Sequence, residues 1–316
     1  MNKYKEIIKE IKKNNKILIL THIRADGDCV GSSIGLREII KSTFKDKEVK
    51  ALYENVHYLS YLGKSDKVTD EDFNDSLIIS VDNASLKRCV DERGKNLKRV
   101  IKIDHHPNIE PFGYINVVEE EKCACAEMII DFYKSLKGAK ISKLGVEALY
   151  TGLVTDSGRF KFPGVTGDTL RKVGMLYDLG LDANKILNTL DETTLKEIRF
   201  KGYVLENLEM TENGVVFIKI KGEDRERFEI EFDDASNMVN SLGNIKGSPI
   251  WVLFNEYNSD EIRCRVRSID IPINDTAVKF GGGGHANASG IVVKSWEVVD
   301  NILKDLDEKL KNFKND

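Results

Sequence analysis

The chain has 316 residues, is 41% hydrophobic and carries a formal net charge of −4. That length suits two compact domains better than one, and no apolar run approaches the roughly 18–20 residues needed to span a bilayer, which excludes a membrane-embedded protein. An acidic chain is no coat for long duplex nucleic acid, so an anionic ligand has to be met by a local basic site.

The chain opens on MNKYKEIIKEIKKNNK, charged throughout and without the apolar core of a signal peptide. Tyr4, Ile7, Ile8 and Ile11 recur at helical spacing and predict an amphipathic helix. Short apolar runs of strand length follow at 17–20, 49–53, 77–81, 100–103 and 114–118, with helical stretches near 30–42, 85–93 and 124–136. Strands alternating with helices predict an α/β domain around a largely parallel, buried sheet. Helical pattern dominates from 142 to 209. After Gly214, strands are expected at 215–220, 249–254 and 262–268, and a closing helix at 295–313. The expected fold is therefore α/β with two domains: a parallel-sheet domain at 1–184, a helical connector at 185–210 and a smaller α/β domain at 211–316. The cysteines are odd in number and unpatterned, which points to reduced thiols in a cytoplasmic protein.

Three apolar runs end in side chains able to hold a metal. KILILTHIRADGD supplies His22, Asp26 and Asp28; LIISVDNAS supplies Asp82; VIKIDHHPN supplies Asp104, His105 and His106. A fourth segment, YTGLVTDSGRF, places Asp156 behind an apolar helical stretch. Each alone reads as readily as a turn residue or a helix cap. Together they are different, because ligands gather at the carboxyl ends of parallel strands. Several carboxylates at one sheet edge repel unless cations neutralise them. Mixed carboxylate and imidazole donors suit Mn²⁺, or Mg²⁺ with less histidine, better than a structural zinc. A pair of divalent ions is a device for phosphoryl chemistry. On this reading one histidine of the adjacent pair binds metal. The other faces the substrate phosphate or protonates a leaving oxygen, and Asp104 orients the ligand histidine.

The second half carries KFGGGGHANASG, residues 279–290. Consecutive glycines expose backbone N–H groups and let a ligand approach the main chain, so Gly282, Gly283, Gly284 and His285 are candidate ligand-binding residues. Upstream, Arg263, Arg265 and Arg267 alternate with Ile262, Cys264 and Val266. In a strand, period two places all three arginines on one face. An anion site is expected for Arg267 at least.

These motifs together resemble the DHH phosphoesterase superfamily over nearly the whole chain. THIRADGDCVGSS, SVDNAS, IDHHPN and GLVTDSG are similar to its metal motifs in order, and RSID with FGGGGHANASG is similar to its associated C-terminal substrate-binding domain. Within the superfamily the NrnA-like nanoRNases, which degrade very short RNA and dephosphorylate pAp, resemble it most. The resemblance implies two Mn²⁺, with Mg²⁺ or Co²⁺ in substitution. His22, Asp26 and Asp82 would hold one ion, and Asp28, Asp82, His105 and Asp156 the other, with Asp82 bridging. His106 would lie against the scissile phosphate. Arg267, Ser268 and His285 would grip a short RNA, a dinucleotide or a nucleotide phosphate. A homodimer is compatible with it. Ala25 stands where proline is usual, and Arg265 where serine is frequent. The alternatives are a RecJ-like single-strand exonuclease, a linear or cyclic dinucleotide phosphodiesterase, an inorganic pyrophosphatase and a non-catalytic nucleotide sensor.

Overall fold

The computed structural model describes residues 4–162 and 164–315. The chain forms two compact units, Met1–Glu192 and Thr193–Asp316.

The first unit runs α1 (Lys5–Lys13), β1 (Lys16–Leu20), α2 (Gly27–Thr43), β2 (Glu48–Leu52), α3 (Asp70–Asp75), β3 (Leu77–Val81), β4 (Val100–Asp104), β5 (Ile115–Val118), α4 (Cys125–Ser135), α5 (Lys143–Asp156), α6 (Gly167–Asp178) and α7 (Ala183–Asp191). Its five strands are all parallel, in the order β2-β1-β3-β4-β5. Every residue of β3 and β4 is buried, as expected of strands covered on both faces. Ile19, Ile79, Ile101 and Ile103 are fully enclosed on the side of α2, α4 and α5, each contributing about 1.5–3 kcal/mol of apolar burial. The chain turns from β1 outward to β2 and then back past it to β3. That reversal leaves a crevice at the carboxyl ends of β1 and β3, where ligands bind in open α/β sheets.

Helices α2 and α5 lie unusually close. A Cβ on Gly31 would come within 2.4 Å of the Ala148 carbonyl, and one on Gly152 within 2.8 Å of an Asp28 carboxylate oxygen. The missing side chains let the two helices bring Asp28 and Asp156 to one place.

One stretch differs from expectation. Residues 85–93 form two 3₁₀ turns, Leu86–Arg88 and Glu92–Asn96, not a helix. Ser85 and Asp91 each accept a backbone N–H two residues on, closing short turns separately. Cys89 pairs with His22 as an isolated bridge, which pulls the segment back into extended form.

The second unit runs α8 (Leu195–Glu206), β6 (Glu209–Met210), β7 (Val216–Ile220), α9 (Gly222–Phe228), α10 (Phe232–Asn237), β8 (Ile250–Asn258), β9 (Glu261–Ser268), α11 (Asn274–Lys279), β10 (Gly283–His285), β11 (Ala288–Val293) and α12 (Trp296–Asn315). Its mixed sheet has the order β10-β11-β9-β8-β7-β6. One face packs on α12 through Val252, Phe254, Cys264, Val266, Ile302 and Leu306. The other packs on α8 and the 232–242 segment through Phe200, Val204, Ile218 and Leu253. Residues 185–210 are thus divided: Ile186 of α7 joins the first unit's core, and Phe200 and Val204 of α8 join the second's.

Candidate active site

The loops that leave β1, β3 and β4 and the last turn of α5 bring His22, Asp82, His105, His106, Asp28 and Asp156 together. His22 Nε2 stands 3.5 Å from Asp82 Oδ2. His105 Nε2 lies 3.4 Å from Asp82 Oδ1, 3.4 Å from Asp156 Oδ2 and 3.8 Å from Asp28 Oδ2. Asp82 therefore stands between the two imidazoles, one carboxylate oxygen toward each. Its backbone has φ 51°, a left-handed conformation at the exit of β3. For a residue other than glycine this costs about 1–3 kcal/mol and is held where surrounding structure demands it.

The second ring nitrogen of each histidine fixes its orientation. Nδ1–H of His22 donates to the Ile23 carbonyl at 2.8 Å, and Nδ1–H of His105 to the Lys122 carbonyl at 3.1 Å. Both rings thus turn Nε2 toward the carboxylates. His106 is turned the other way round. It brings Nδ1 to 3.5 Å from Asp82, and that nitrogen already donates to Asp104 Oδ1 at 2.8 Å. Asp104 orients His106, not the adjacent His105. Its other oxygen lies 3.2 Å from the ammonium of Lys102, which is itself wholly buried.

Asp28 sits in the first turn of α2 and caps another helix. It accepts the Cys125 N–H at 2.5 Å and the Ala126 N–H at 2.8 Å at the start of α4. Charge-assisted bonds of this kind contribute about 1.5–3 kcal/mol each. Asp26 is the N-cap of α2, accepts the Cys29 N–H at 3.0 Å and is exposed at the rim.

The charges strain against one another. Burial, then the neighbouring Asp82 and Asp156, push the Asp28 carboxyl well above its usual range. Burial pushes Asp156 up to about 6, with His105 opposing. Burial would raise Asp82 too, yet His105 and His22 outweigh it and hold that carboxyl well below the usual range. Burial disfavours charged imidazolium, but Asp82 and Cys29 lift His22 to about 11, and Asp82, Asp28 and Asp156 lift His105 to about 10. The basin demands positive charge, and without a cation it takes protons. Asp82 Oδ1 is buried without a hydrogen-bond donor, so a divalent ion fits the donor set.

Among the described residues three groupings of potential ligand atoms come together: Asp28, His105 and Asp156; His22, Cys29 and Asp82; and Asp82, His105 and His106. None of them contains Asp26. The odd cysteine count gave no hint of Cys29. The signal lay in its place one turn after a helix-capping aspartate. Lys102 was likewise hidden, as a lysine inside an apolar run.

In the second unit the period-two reading holds: Ile262, Cys264 and Val266 are buried, and the three arginines are half-buried. Arg263 is held by Glu261 at 2.6 Å, and Arg265 donates to Asn237 at 3.0 Å. Arg267 reaches only the Val266 carbonyl at 3.0 Å, and among the described residues it forms no ion pair. Burial and then Arg265 lower its pKa, leaving a cation short of counter-charge. Across its two ladders it faces Ala288 on β11 and Trp251 on β8. Ser268 is engaged within its own turn, donating to the Ile271 carbonyl and accepting from Asn287 at 3.0 Å. The glycine run is not a loose loop. Gly283–His285 forms edge strand β10 on β11, and a Cβ on Gly282 would meet the Gly290 carbonyl at 2.2 Å. Gly284 takes φ 141°, open to glycine alone, and His285 is exposed.

The model of the DHH family N-terminal domain matches residues 16–153, and that of the DHHA1 domain matches residues 213–312. The chain is 37% identical over 308 residues to the bifunctional oligoribonuclease and PAP phosphatase NrnA of Bacillus subtilis (strain 168), covering 97% of this chain and 98% of that protein. It is 34% identical to the protein of the same description from Mycoplasma genitalium, covering 96% and 97%. Among solved structures, an exopolyphosphatase-related protein from Bacteroides fragilis superposes with a TM-score of 0.85 at 25% identity, covering 99% of this chain and 96% of that one.

Proposed function

The chain belongs to the DHH phosphoesterase family, in the form that carries a C-terminal DHHA1 domain, and from that premise we propose that it hydrolyses short oligoribonucleotides to mononucleotides and pAp to AMP. It is a metal-dependent phosphoesterase of the oligoribonuclease and pAp phosphatase kind. The observation that carries the reading is Asp82, a buried carboxylate with one oxygen toward His22 and the other toward His105, one of them without a hydrogen-bond donor.

The donors suit two Mn²⁺. His22, Asp26 and Asp82 would hold one, and Asp28, Asp82, His105 and Asp156 the other. Bound there, the ions supply Lewis acidity that polarises the phosphate and makes water a competent nucleophile at neutral pH. The protein's own part is orientation and proton handling. His22 and His105 are locked by their Nδ1–H bonds so that Nε2 points inward. His106, anchored through Nδ1 to Asp104, keeps Nε2 for the scissile phosphate and its leaving oxygen. Lys102 holds Asp104 in place from behind. The second unit supplies the substrate-holding groups: the Arg267 guanidinium beside Ala288, the exposed His285, and the backbone N–H groups of Gly282, Gly283 and Gly284. Ser268 shapes the turn that presents Arg267. No helix among the described residues is long and apolar enough to cross a membrane.

A substrate panel with Mn²⁺ tests the proposal: pAp, pApA, RNA of two to five nucleotides, long RNA, cyclic dinucleotides and pyrophosphate. Mononucleotide release from pApA and the shortest RNAs is expected, with AMP from pAp. Hydrolysis of pyrophosphate alone would overturn the assignment.

A further inference from the structure

Tyr58 is an aromatic side chain that the reaction above leaves unused, and it is 47% exposed. It lies in the 3₁₀ turn His57–Leu62, whose Leu59 and Leu62 are buried in the first unit's core. Tyr61 of the same turn is fixed on α5, its hydroxyl 2.8 Å from Thr151 Oγ1, and Asp156 ends that helix. Residues i and i+3 of a 3₁₀ turn eclipse, so Tyr58 shares the face of Tyr61. The loop after β1, which carries His22 and Asp26, is tied to the segment leading into this turn. Thr21 Oγ1 donates to the Leu52 carbonyl at 3.0 Å, and the Arg24 N–H donates to the Glu54 carboxylate. These ties bring the phenol beside Asp26: burial and then the Asp26 carboxylate push it up to about 12. A scattered exposed aromatic is ordinary surface. This one is anchored from below and stands open at the rim of the carboxylate basin.

We propose that the Tyr58 ring is the platform on which a nucleobase of the substrate stacks while the adjoining phosphate occupies the basin. The proposal rests on the phosphoesterase reading above and deepens it, because it makes the base, and not the phosphate alone, a recognised part of the substrate. Every base presents a π face, so stacking on an aromatic ring tolerates any sequence. That suits an enzyme acting on short RNA of mixed composition. Pyrophosphate and other base-free phosphates gain nothing from the ring. The competing role, an apolar cover for the rim, needs bulk but no π face, and that difference separates leucine from phenylalanine at this position.

The test is steady-state kinetics of the full chain with Mn²⁺ on pAp and on its base-free analogue, the same ribose 3′,5′-bisphosphate with hydrogen in place of adenine. Tyr58→Leu should raise KM for pAp by about 5–150-fold, the range that one stacked base contributes. Tyr58→Phe should stay within about threefold of wild type, and on the base-free analogue all three proteins should agree within about threefold. An unchanged KM for pAp in Tyr58→Leu overturns the proposal. So does an equal loss in Tyr58→Phe, or a loss on the base-free analogue as large as that on pAp. The fluorescence of 2-aminopurine riboside 5′-monophosphate reads the contact without turnover. Quenching is expected on the wild type and Tyr58→Phe, and its loss on Tyr58→Leu. A wild type that leaves this probe unquenched, at a concentration that inhibits pAp hydrolysis, overturns the proposal even if the variants fail to fold. The two readings also fail separately. Turnover of pAp indifferent to Tyr58→Leu removes the platform and leaves the phosphoesterase; Tyr58-dependent quenching in a chain without turnover does the reverse.

Discussion

Replacing His106 by glutamine separates metal binding from proton transfer. His22 and His105 turn Nε2 toward the carboxylates, whereas His106 turns Nδ1, which is committed to Asp104 at 2.8 Å. A nitrogen that donates its proton to a carboxylate has no lone pair for an ion, so His106 is not expected to hold metal. Its free Nε2 is a proton donor or acceptor at the leaving oxygen. Positioned general acid–base catalysis contributes about 10²–10⁴-fold in rate, or about 2.7–5.4 kcal/mol of barrier. His106→Gln should therefore lose about two to four decades of kcat on pApA and keep its metal content. His105→Gln should lose metal, because His105 Nε2 lies among Asp28, Asp82 and Asp156. Metal per chain after gel filtration, by mass spectrometry, is set beside kcat with Mn²⁺. The reasoning fails if His106→Gln sheds metal as His105→Gln does, or if it turns over within about threefold of wild type.

Asp82→Asn should abolish turnover and reduce metal content more than loss of Asp26 or Asp156, since it faces both histidines; normal content with normal rate would remove its bridging role. Metal uptake should expel protons: in the metal-free protein His22 and His105 are raised to about 11 and about 10 and so are charged at neutral pH. Affinity should rise with pH by up to about two decades per unit between pH 7 and 9, and more steeply below about 6, where Asp156 also takes a proton; calorimetry in buffers of different ionisation enthalpy measures the release. Arg267→Ala should chiefly raise KM for pAp by about 10–150-fold, the equivalent of about 1.5–3 kcal/mol for a charge-assisted bond, and steady-state kinetics distinguishes this from a loss of kcat. Gly282→Ala should destabilise the second unit by about 1–3 kcal/mol, because its Cβ would meet the Gly290 carbonyl at 2.2 Å; an unchanged thermal midpoint would show that β10 adapts.

The strand-end residues were legible because buried parallel strands announce themselves as apolar runs, and the polar residue that ends each run must lie at the carboxyl edge. That places His22, Asp82 and the 104–106 stretch at the edge, while the choice of His105 over His106 came from the resemblance and not from the run. Asp28 was legible as a candidate but not as the cap of α4, which joins residues about a hundred positions apart. Cys29 was invisible because its place depends on the first turn of α2 beginning at Gly27. The glycine run concealed β10, since glycine carries no strand preference and only pairing with β11 makes it extended. Residues 85–93 misled because two side-chain-closed turns share the spacing of one helix.

The pairing of β1, β3 and β4 also governs where this chain can change length. Leu20 pairs with Ser80 and Val81 with Ile103, so the three exits are aligned by the ladder itself. One residue added inside β3 would push Asp82 about 3.3 Å along the strand and turn each side chain beyond it to the opposite face. Both faces are buried, so no compensating slip is available. Insertions and deletions are therefore confined to segments that enter the strands at their amino ends, such as 64–68 before α3 and β3, 96–99 before β4 and 108–113 before β5. Length in those segments can drift while the carboxyl ends stay in step.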